Sequence, residues 1–581
     1  MALNTEGPAN QLYFGDCLDI LRDDIKDESV DLIYLDPPFN SSTTYNVLFK
    51  SPKGHAAHAQ IAAFEDTWHW AEQAATEYDE LVRGQNTQVS EMMQAFRRFL
   101  GENDMMAYLT MMACRLLELH RVLRASASLY LHCDPTASHY LKILLDSVFG
   151  PENFRNEIIW KRTGSHNARR SFGPVHDTIL FYTKSNDYTF NIIKRPYMRG
   201  HVKSRYTADE EGRQKFTSGG NILTGAGKTG GESGAVWKGF DPSAKNRHWA
   251  IPGFLAEQMP IEFSGLSVLQ KLDALYDAGL IEISPRSAWP TPLRYLKEDD
   301  GQPVQDIWAA QPYTEGTVHG SNEIIDSDVA WLGTTDPERL GYQTQKPLGL
   351  LERIILASSN EGDTILDPFC GCGTAVHAAQ VLGRRWTGID VTHLAIALIE
   401  KRLRDAFPGI VFDVHGTPKD LESARDLALR DKYEFQWWAC SLVNSQPYQG
   451  KKKGADSGID GLIYFQDDNG PPKKIIVSVK GGENISVSMV RDLAHVVKRE
   501  KAEIGLFVTL SEPTDPMKKE ATKEGFYESP VAASFPRIQI LTIEGLLEKK
   551  EQARYPDLAR GGHTFKKAKI EEKRTDQKKL F

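Results

Sequence analysis

Thr364-Ile365-Leu366-Asp367-Pro368-Phe369-Cys370-Gly371-Cys372-Gly373-Thr374 decides how this chain is read. An apolar run ends on a carboxylate, turns through a glycine-rich loop and opens a helix. The run predicts a buried strand, and Gly371 and Gly373 predict a loop whose backbone packs closely against a bound molecule. Trp386-Thr387-Gly388-Ile389-Asp390 is a second strand ending on a carboxylate, where such residues accept hydrogen bonds from ribose hydroxyls. Helix, strand, loop, helix and strand alternate over 348–405, and a charged helix runs from His393 to about Phe407. That alternation predicts an α/β sheet with parallel strands.

The same rhythm occupies the N-terminal part. Gly15-Asp16-Cys17 predicts a turn opening a helix, and residues 28–36 read as a buried strand stopped by Pro37-Pro38. Residues 41–90 are polar and predict a long loop plus helix, and 91–125 predict one helix. Strands follow at 129–132, 158–160 and 178–182, with a helix at 136–149.

Asp36-Pro37-Pro38-Phe39 ends the strand at 28–36. Moving a methyl group from a sulfonium to an exocyclic amine requires the nitrogen in line with the methyl. The amine lone pair is delocalised into the ring until an acceptor holds the NH2 group. Asp36 and the Pro37 carbonyl supply acceptors, Phe39 supplies a stacking face, and the two prolines stiffen the turn. A base reaches such a pocket only by leaving the helix.

With the Asp-Pro-Pro-Phe motif placed before the glycine loop, most of residues 11–405 resembles the β-class amino-methylating DNA methyltransferases, which use S-adenosylmethionine (SAM). The resemblance implies a Rossmann-like methyltransferase sheet in circularly permuted order, acting on double-stranded DNA. It implies target-base contacts from Asp36, Pro37, Pro38 and Phe39. It implies cofactor contacts from Asp16, Gln345, Lys346, Pro347, Asp367, Phe369, Gly371, Gly373, Thr374 and Asp390. Gln345, Lys346 and Pro347 belong to the element that cradles the methionine end of SAM. Asp16 is the acceptor for the adenine of SAM, or else a helix cap. His176 to Tyr182 resembles the strand bordering the target-base pocket. Asp at the first motif position favours adenine N6 over cytosine N4. Cys370 and Cys372 have poor zinc spacing and read as small loop side chains.

Residues 191–335 break the alternation and occupy the place of the family's target-recognition region. Trp237, Lys238, Lys245, Arg247 and Trp249 are its candidate DNA contacts. The expected order is a catalytic half at 1–190, this insert, a SAM-binding half at 336–410, a connector at 411–432, a C-terminal domain at 433–550 and a charged tail at 551–581. In the C-terminal domain, Asp456 to Gly461 followed by Ile475 to Lys480 resembles the core of Mrr-like PD-(D/E)xK restriction endonucleases. The resemblance implies a Mg2+ ligand at Asp460, a charge stabiliser at Lys480 and an accessory ligand at Glu434. Ser478 stands where that family carries Glu, Asp or Gln, so a DNA-binding module without cleavage is an equal expectation.

The composition fits a folded protein of two or three domains, with 581 residues, 41% hydrophobic and 25% charged. A net charge of −9 does not advertise nucleic-acid binding, yet an enzyme needs only a local basic groove. Lys161-Arg162, Arg169-Arg170, Lys451 to Lys453 and the tail from Lys566 are candidate basic patches. Six cysteines form no disulfide scaffold, and no apolar run is long enough to span a membrane, so a reducing cytoplasm is expected. Gln577 to Phe581 resembles peptides that bind bacterial sliding clamps. Monomer and homodimer remain open. So do three rival readings: a combined restriction-modification enzyme, a methyltransferase of RNA or protein glutamine, and a non-catalytic DNA-binding regulator.

Overall fold

The computed structural model describes residues 10–556 except 39–45, 51–55, 63–68, 165–169, 217–222, 284–288, 298–299, 313–315, 317–323, 334–335, 341, 343, 449–457 and 531–533, and then residues 564 and 567–571. The chain divides into two compact units. Met1–Ile193, Gln305–Ala310 and Asp326–Leu580 form the first, and Lys194–Val304 with Gln311–Ile325 the second.

The first unit is built on a nine-stranded sheet. Its strands are β1 (Gln11–Phe14), β2 (Val30–Leu35), β3 (Leu123–Cys133), β4 (Phe154–Lys161), β5 (His176–Thr183), β6 (Ile307–Trp308), β7 (Thr364–Asp367), β8 (Arg385–Asp390) and β9 (Asp413–His415). Their spatial order is β6-β4-β5-β3-β2-β7-β8-β1-β9. All neighbours are parallel except β5, which runs antiparallel to β3 and β4. The expected all-parallel sheet is thus corrected at one strand. The link from β4 to β5 carries no helix among its described residues, and a parallel neighbour needs a crossover of helical length.

β2 and β7 are central, and Leu32, Ile33, Leu35 and Leu366 are fully buried. Strands covered on both faces read as continuous apolar runs, which made both visible in the sequence. The helix expected over 91–125 is two helices, Thr87–Leu100 and Asp104–Val122. Asn103 separates them, its side chain capping the second by accepting the Met106 amide at 2.9 Å. Residues 41–90, expected as loop and helix, also pair Asn46–Lys50 with Ala56–Ala62 as antiparallel strands. Helix α1 (Cys17–Asp23) follows β1, α2 (Thr374–Val381) follows β7, and α3 (His393–Ala406) follows β8. Asp36, Asp367 and Asp390 therefore stand at carboxyl ends of neighbouring strands, where ligands bind in open α/β sheets.

The C-terminal residues of the same unit form a five-stranded sheet. Its strands are β10 (Gln446–Pro447), β11 (Gly461–Phe465), β12 (Lys473–Lys480), β13 (Ile504–Thr509) and β14 (Ile538–Thr542), in that spatial order. The first three are antiparallel and the last three parallel. Helix α4 (Lys432–Leu442) packs Phe435 and Trp438 on one face, and α5 (Val487–Arg499) packs Leu493 and Val497 on the other. Thr564, within the charged tail, is anchored on β11. Thr564 is buried, and its hydroxyl both accepts from the Tyr464 amide and donates to the Tyr464 carbonyl at 2.9 Å.

The second unit combines short two-stranded ladders with short helices, the longest described being Val268–Asp277, around an apolar core of Leu223, Trp237, Trp249, Leu255, Phe263, Leu272 and Leu275. Among the described residues no helix is long and apolar enough to cross a membrane.

Gly373 holds a left-handed φ of 74°, and a Cβ there would meet Ile399 Cγ1 at 2.8 Å. Gly373→Ala is therefore expected to destabilise the chain by about 1–3 kcal/mol, read as a lowered urea midpoint. A wild-type midpoint would show that α2 and α3 do not meet this closely.

Candidate active site

Asp36 follows β2 directly, and its Oδ2 is ion-paired with Lys346 Nζ. Both side chains are mostly buried, 19% and 11% exposed, so the pair is shielded from solvent. Pro37 is buried behind it. Phe39 lies outside the described residues. Beneath Asp36 runs a buried polar chain: the Tyr34 hydroxyl bonds His132 Nδ1 at 3.0 Å, and His132 Nε2 bonds Asp177 Oδ2 at 3.2 Å. Arg162 Nε stands 2.9 Å from the other Asp177 oxygen. Burial pushes the Asp177 carboxyl up, but the His132 hydrogen bond and the charges of His132, Lys346 and Arg162 leave it below its ordinary value.

Asp367, the last residue of β7, is buried, and its Oδ1 accepts the Phe369 amide at 3.1 Å. Burial, with Asp36 and Asp390 nearby, pushes its carboxyl up to about 8. Asp390 ends β8 and anchors the glycine loop: Oδ2 accepts the Gly371 amide at 2.9 Å, and Oδ1 accepts the Thr392 amide and hydroxyl at 2.9 Å. Burial lifts Asp390 only to about 6, because these hydrogen bonds oppose it. Gly371 has φ 53°, and a Cβ on it would lie 3.3 Å from the Tyr342 ring. Arg402 of α3 braces the loop from behind, donating to the Cys372 carbonyl and Thr374 Oγ1 at 3.1 Å. Cys370 and Cys372 are buried free thiols.

Other expected cofactor residues have structural partners. Asp16 caps α1 through the Leu18 amide at 2.7 Å, and both its oxygens accept Arg115 at 2.8 Å. Gln345 spends its amide locally, accepting from the Leu340 amide at 2.8 Å and donating to the Glu338 carbonyl at 2.9 Å. Gln345 thus also braces its own loop. Lys346 is turned to Asp36, Pro347 precedes the helix Leu348–Ser358, and Phe369 packs on the core beneath the sheet.

Of the expected nuclease residues, Asp460 and Lys480 are brought together and Glu434 is not. Asp460 Oδ1 accepts the Gln436 amide at 2.9 Å, Oδ2 accepts the Val479 amide at 2.6 Å, and Lys480 Nζ stands at 3.9 Å. Glu434 points away from Asp460, toward His393 of α3. Among the described residues no group of three or more His, Cys, Asp or Glu is placed to hold a metal ion. The expected Mg2+ site does not fit these side chains, and no step is derived through it.

In the second unit Trp237 and Trp249 are buried, their indole N–H groups donating to Asp273 at 2.9 Å and to the Ala235 carbonyl at 2.7 Å. Their expected role as DNA contacts is corrected to core packing. Lys238 and Lys245 are exposed, and Arg247 is half-buried against Thr224. Arg169, Lys451 to Lys453, Lys566 and the clamp-like residues 577–581 lie outside the described residues.

The sequence matches the DNA methylase family over residues 30–401, well over half of the chain. This protein belongs to the N6/N4 DNA methylase family. Residues 441–534 match the NACHT-associated inactive restriction endonucleases, in line with the expected nuclease-like domain. Among curated relatives, the Type II methyltransferase M.EcaI of Enterobacter cloacae is 30% identical over 298 residues, 51% of this chain and 57% of that protein. The StyLTI Mod subunit, of a Type III restriction-modification enzyme of Salmonella typhimurium, is 24% identical over 380 residues, 64% of this chain and 50% of that protein. The DNA adenine methyltransferase YhdJ of Escherichia coli is 48% identical over 62 residues, 11% of this chain and 21% of that protein. The chain spans about half the length of the first two.

SAM is the methyl donor of the DNA methylase family, and the residues at the sheet edge fit it. The left-handed glycine loop leaves backbone bare, and Asp390 has lone pairs beyond those the loop occupies. Sequence reasoning placed Tyr34, His132 and Asp177 in strands without seeing the chain they form. It also missed Arg115 and Arg402. Their one signal is a polar residue inside an otherwise apolar strand or helix face.

Asp367 carries a test of this electrostatic layout. Its folded value of about 8 lies above the ordinary 3.8, so its contribution to stability is full below about pH 4 and is lost as pH rises through about 8. Asp367→Asn removes that slope. Its stability relative to wild type should rise by on the order of a few kcal/mol between about pH 5 and about pH 8. Urea midpoints that differ by a constant amount at the two pH values would contradict the placement.

Proposed function

We propose that the chain transfers a methyl group from SAM to the N6 amine of adenine in double-stranded DNA, with the target base flipped out of the helix. The observation that carries this reading is Asp36, held by Lys346 at the carboxyl end of β2, one strand away from Asp367 and the glycine loop. The motif relies on a fixed acceptor for the amine, and the ion pair together with two prolines fixes it.

In this reading the adenine amine donates its hydrogens to Asp36 and to the Pro37 carbonyl, which frees the nitrogen lone pair. SAM, when bound, supplies a methyl group on a positively charged sulfur. The chain aligns the amine with that methyl, so that the N–C bond forms as the S–C bond breaks. The nitrogen then sheds one proton, and Asp36 is the acceptor placed to take it on the way to solvent. Asp390 and the Gly371 loop hold the ribose and the backbone-facing side of SAM. Lys238 and Lys245 contribute phosphate contacts from the second unit. The name of the YhdJ relative supports adenine as the base. The nuclease-like domain is assigned no cleavage, because both Asp460 oxygens are bonded within the protein.

Asp36→Ala should lower methyl transfer to DNA by at least about 100-fold while SAM affinity stays within about threefold of wild type. Calorimetry and a tritium-transfer assay read the two quantities separately. Near-normal turnover in this variant would sink the assignment.

Replacing Lys238 and Lys245 by Ala should reduce the slope of log affinity against log salt by about two. An unchanged slope would move the phosphate contacts elsewhere.

A further inference from the structure

Glu434 belongs to the nuclease-like domain yet faces the methyltransferase sheet. Helix α4 packs against α3 and sets Glu434 Oε2 3.9 Å from His393 Nε2. Both atoms are buried, and neither makes a hydrogen bond. His393 is 2% exposed, and its ring stacks on Phe14 with centroids 3.6 Å apart and planes 11° from parallel. Phe14 is the last residue of β1 and pairs in register with Asp390, the last residue of β8. Phe14 itself is half-buried, and the neighbouring Val391 is 39% exposed. An aromatic ring, an apolar side chain and a carboxylate thus line the sheet edge at β1 and β8, a surface suited to a nucleoside.

Two buried polar atoms without partners are costly, on the order of 1–3 kcal/mol each. Here they lie just beyond bonding distance of each other, across two domains. Burial holds the His393 imidazole neutral, with its value down to about 3. Burial, with the Asp431 charge, pushes the Glu434 carboxyl up to about 7 against a hydrogen bond from the His393 backbone, and in its protonated form the carboxyl can donate to an imidazole nitrogen. Closing the 3.9 Å gap between Glu434 Oε2 and His393 Nε2 to hydrogen-bonding distance would fix the His393 ring and, through the stack, Phe14. If that arrangement favours a ligand resting on Phe14, the ligand in turn favours the contact between α4 and α3.

We propose that Glu434 is a positioning residue for the nucleoside end of the cofactor, acting through His393 and Phe14, so that the nuclease-like domain completes the methyl-donor site. The identity of the ligand rests on the proposed function above. The domain then serves methylation without cutting DNA, which agrees with its occupied Asp460.

The test is a double-mutant cycle on the full chain with Glu434→Leu, His393→Phe and the pair, measuring affinity for SAM and for 5′-methylthioadenosine, which carries the nucleoside end alone. Leu fills the Glu434 position without its polar atoms, and a urea midpoint measured for each variant separates lost affinity from lost folding. Phe keeps the stack on Phe14 and removes only the nitrogens. Each single variant should weaken both ligands by about tenfold, and the double variant should lose no more than either single one. Wild-type affinities in the single variants, losses that multiply in the double variant, or weakening of SAM with methylthioadenosine unchanged would each overturn the proposal. Wild-type protein that binds neither ligand would instead overturn the functional reading on which it rests.

Discussion

The parallel pairing of β2 with β7 is the constraint on which the rest of the first unit depends. It sets Leu32 beside Ile365 and Ile33 beside Leu366, and so places Asp36 and Asp367 at adjacent strand ends although 330 residues separate them. Two carboxylates this close in a buried edge repel each other and lose solvation. The structure manages the conflict by pairing Asp36 with Lys346 and by leaving Asp367 with a strong preference for its proton. Lys346 reaches Asp36 from the loop before the helix Leu348–Ser358, so the segments before and after the second unit are joined by the same ion pair.

The supporting residues share one logic. Arg115, Arg402 and His132 are buried polar groups whose partners are loop atoms or carboxylates at the sheet edge. Each would be costly if unpaired, and each therefore fixes the geometry of what it touches. The glycine loop is held in this way on two sides, by Asp390 from the front and Arg402 from behind.

Much of this was legible in the sequence because central strands covered on both faces read as unbroken apolar runs. β2, β7 and β8 were found for that reason, as were the carboxylates at their ends. The antiparallel course of β5 was not legible, because strand direction depends on how the link after β4 crosses the sheet. The aromatic cluster of the second unit misled for another physical reason. A small unit without long elements needs large side chains for its core, so Trp237 and Trp249 are spent on packing, and the exposed lysines beside them are what remains for a partner. The nuclease resemblance implied Glu434 as an accessory ligand beside Asp460, whereas α4 turns it toward His393. Pairings between residues far apart in sequence, such as Asp36 with Lys346 and Asp16 with Arg115, leave no periodicity to read.

The most direct test of the account is nucleoside mass spectrometry of unmethylated plasmid DNA after incubation with the purified chain and SAM. The account predicts N6-methyladenine as the new base. N4-methylcytosine in its place would keep the site and overturn the base, and DNA with no modified base would contradict the central claim.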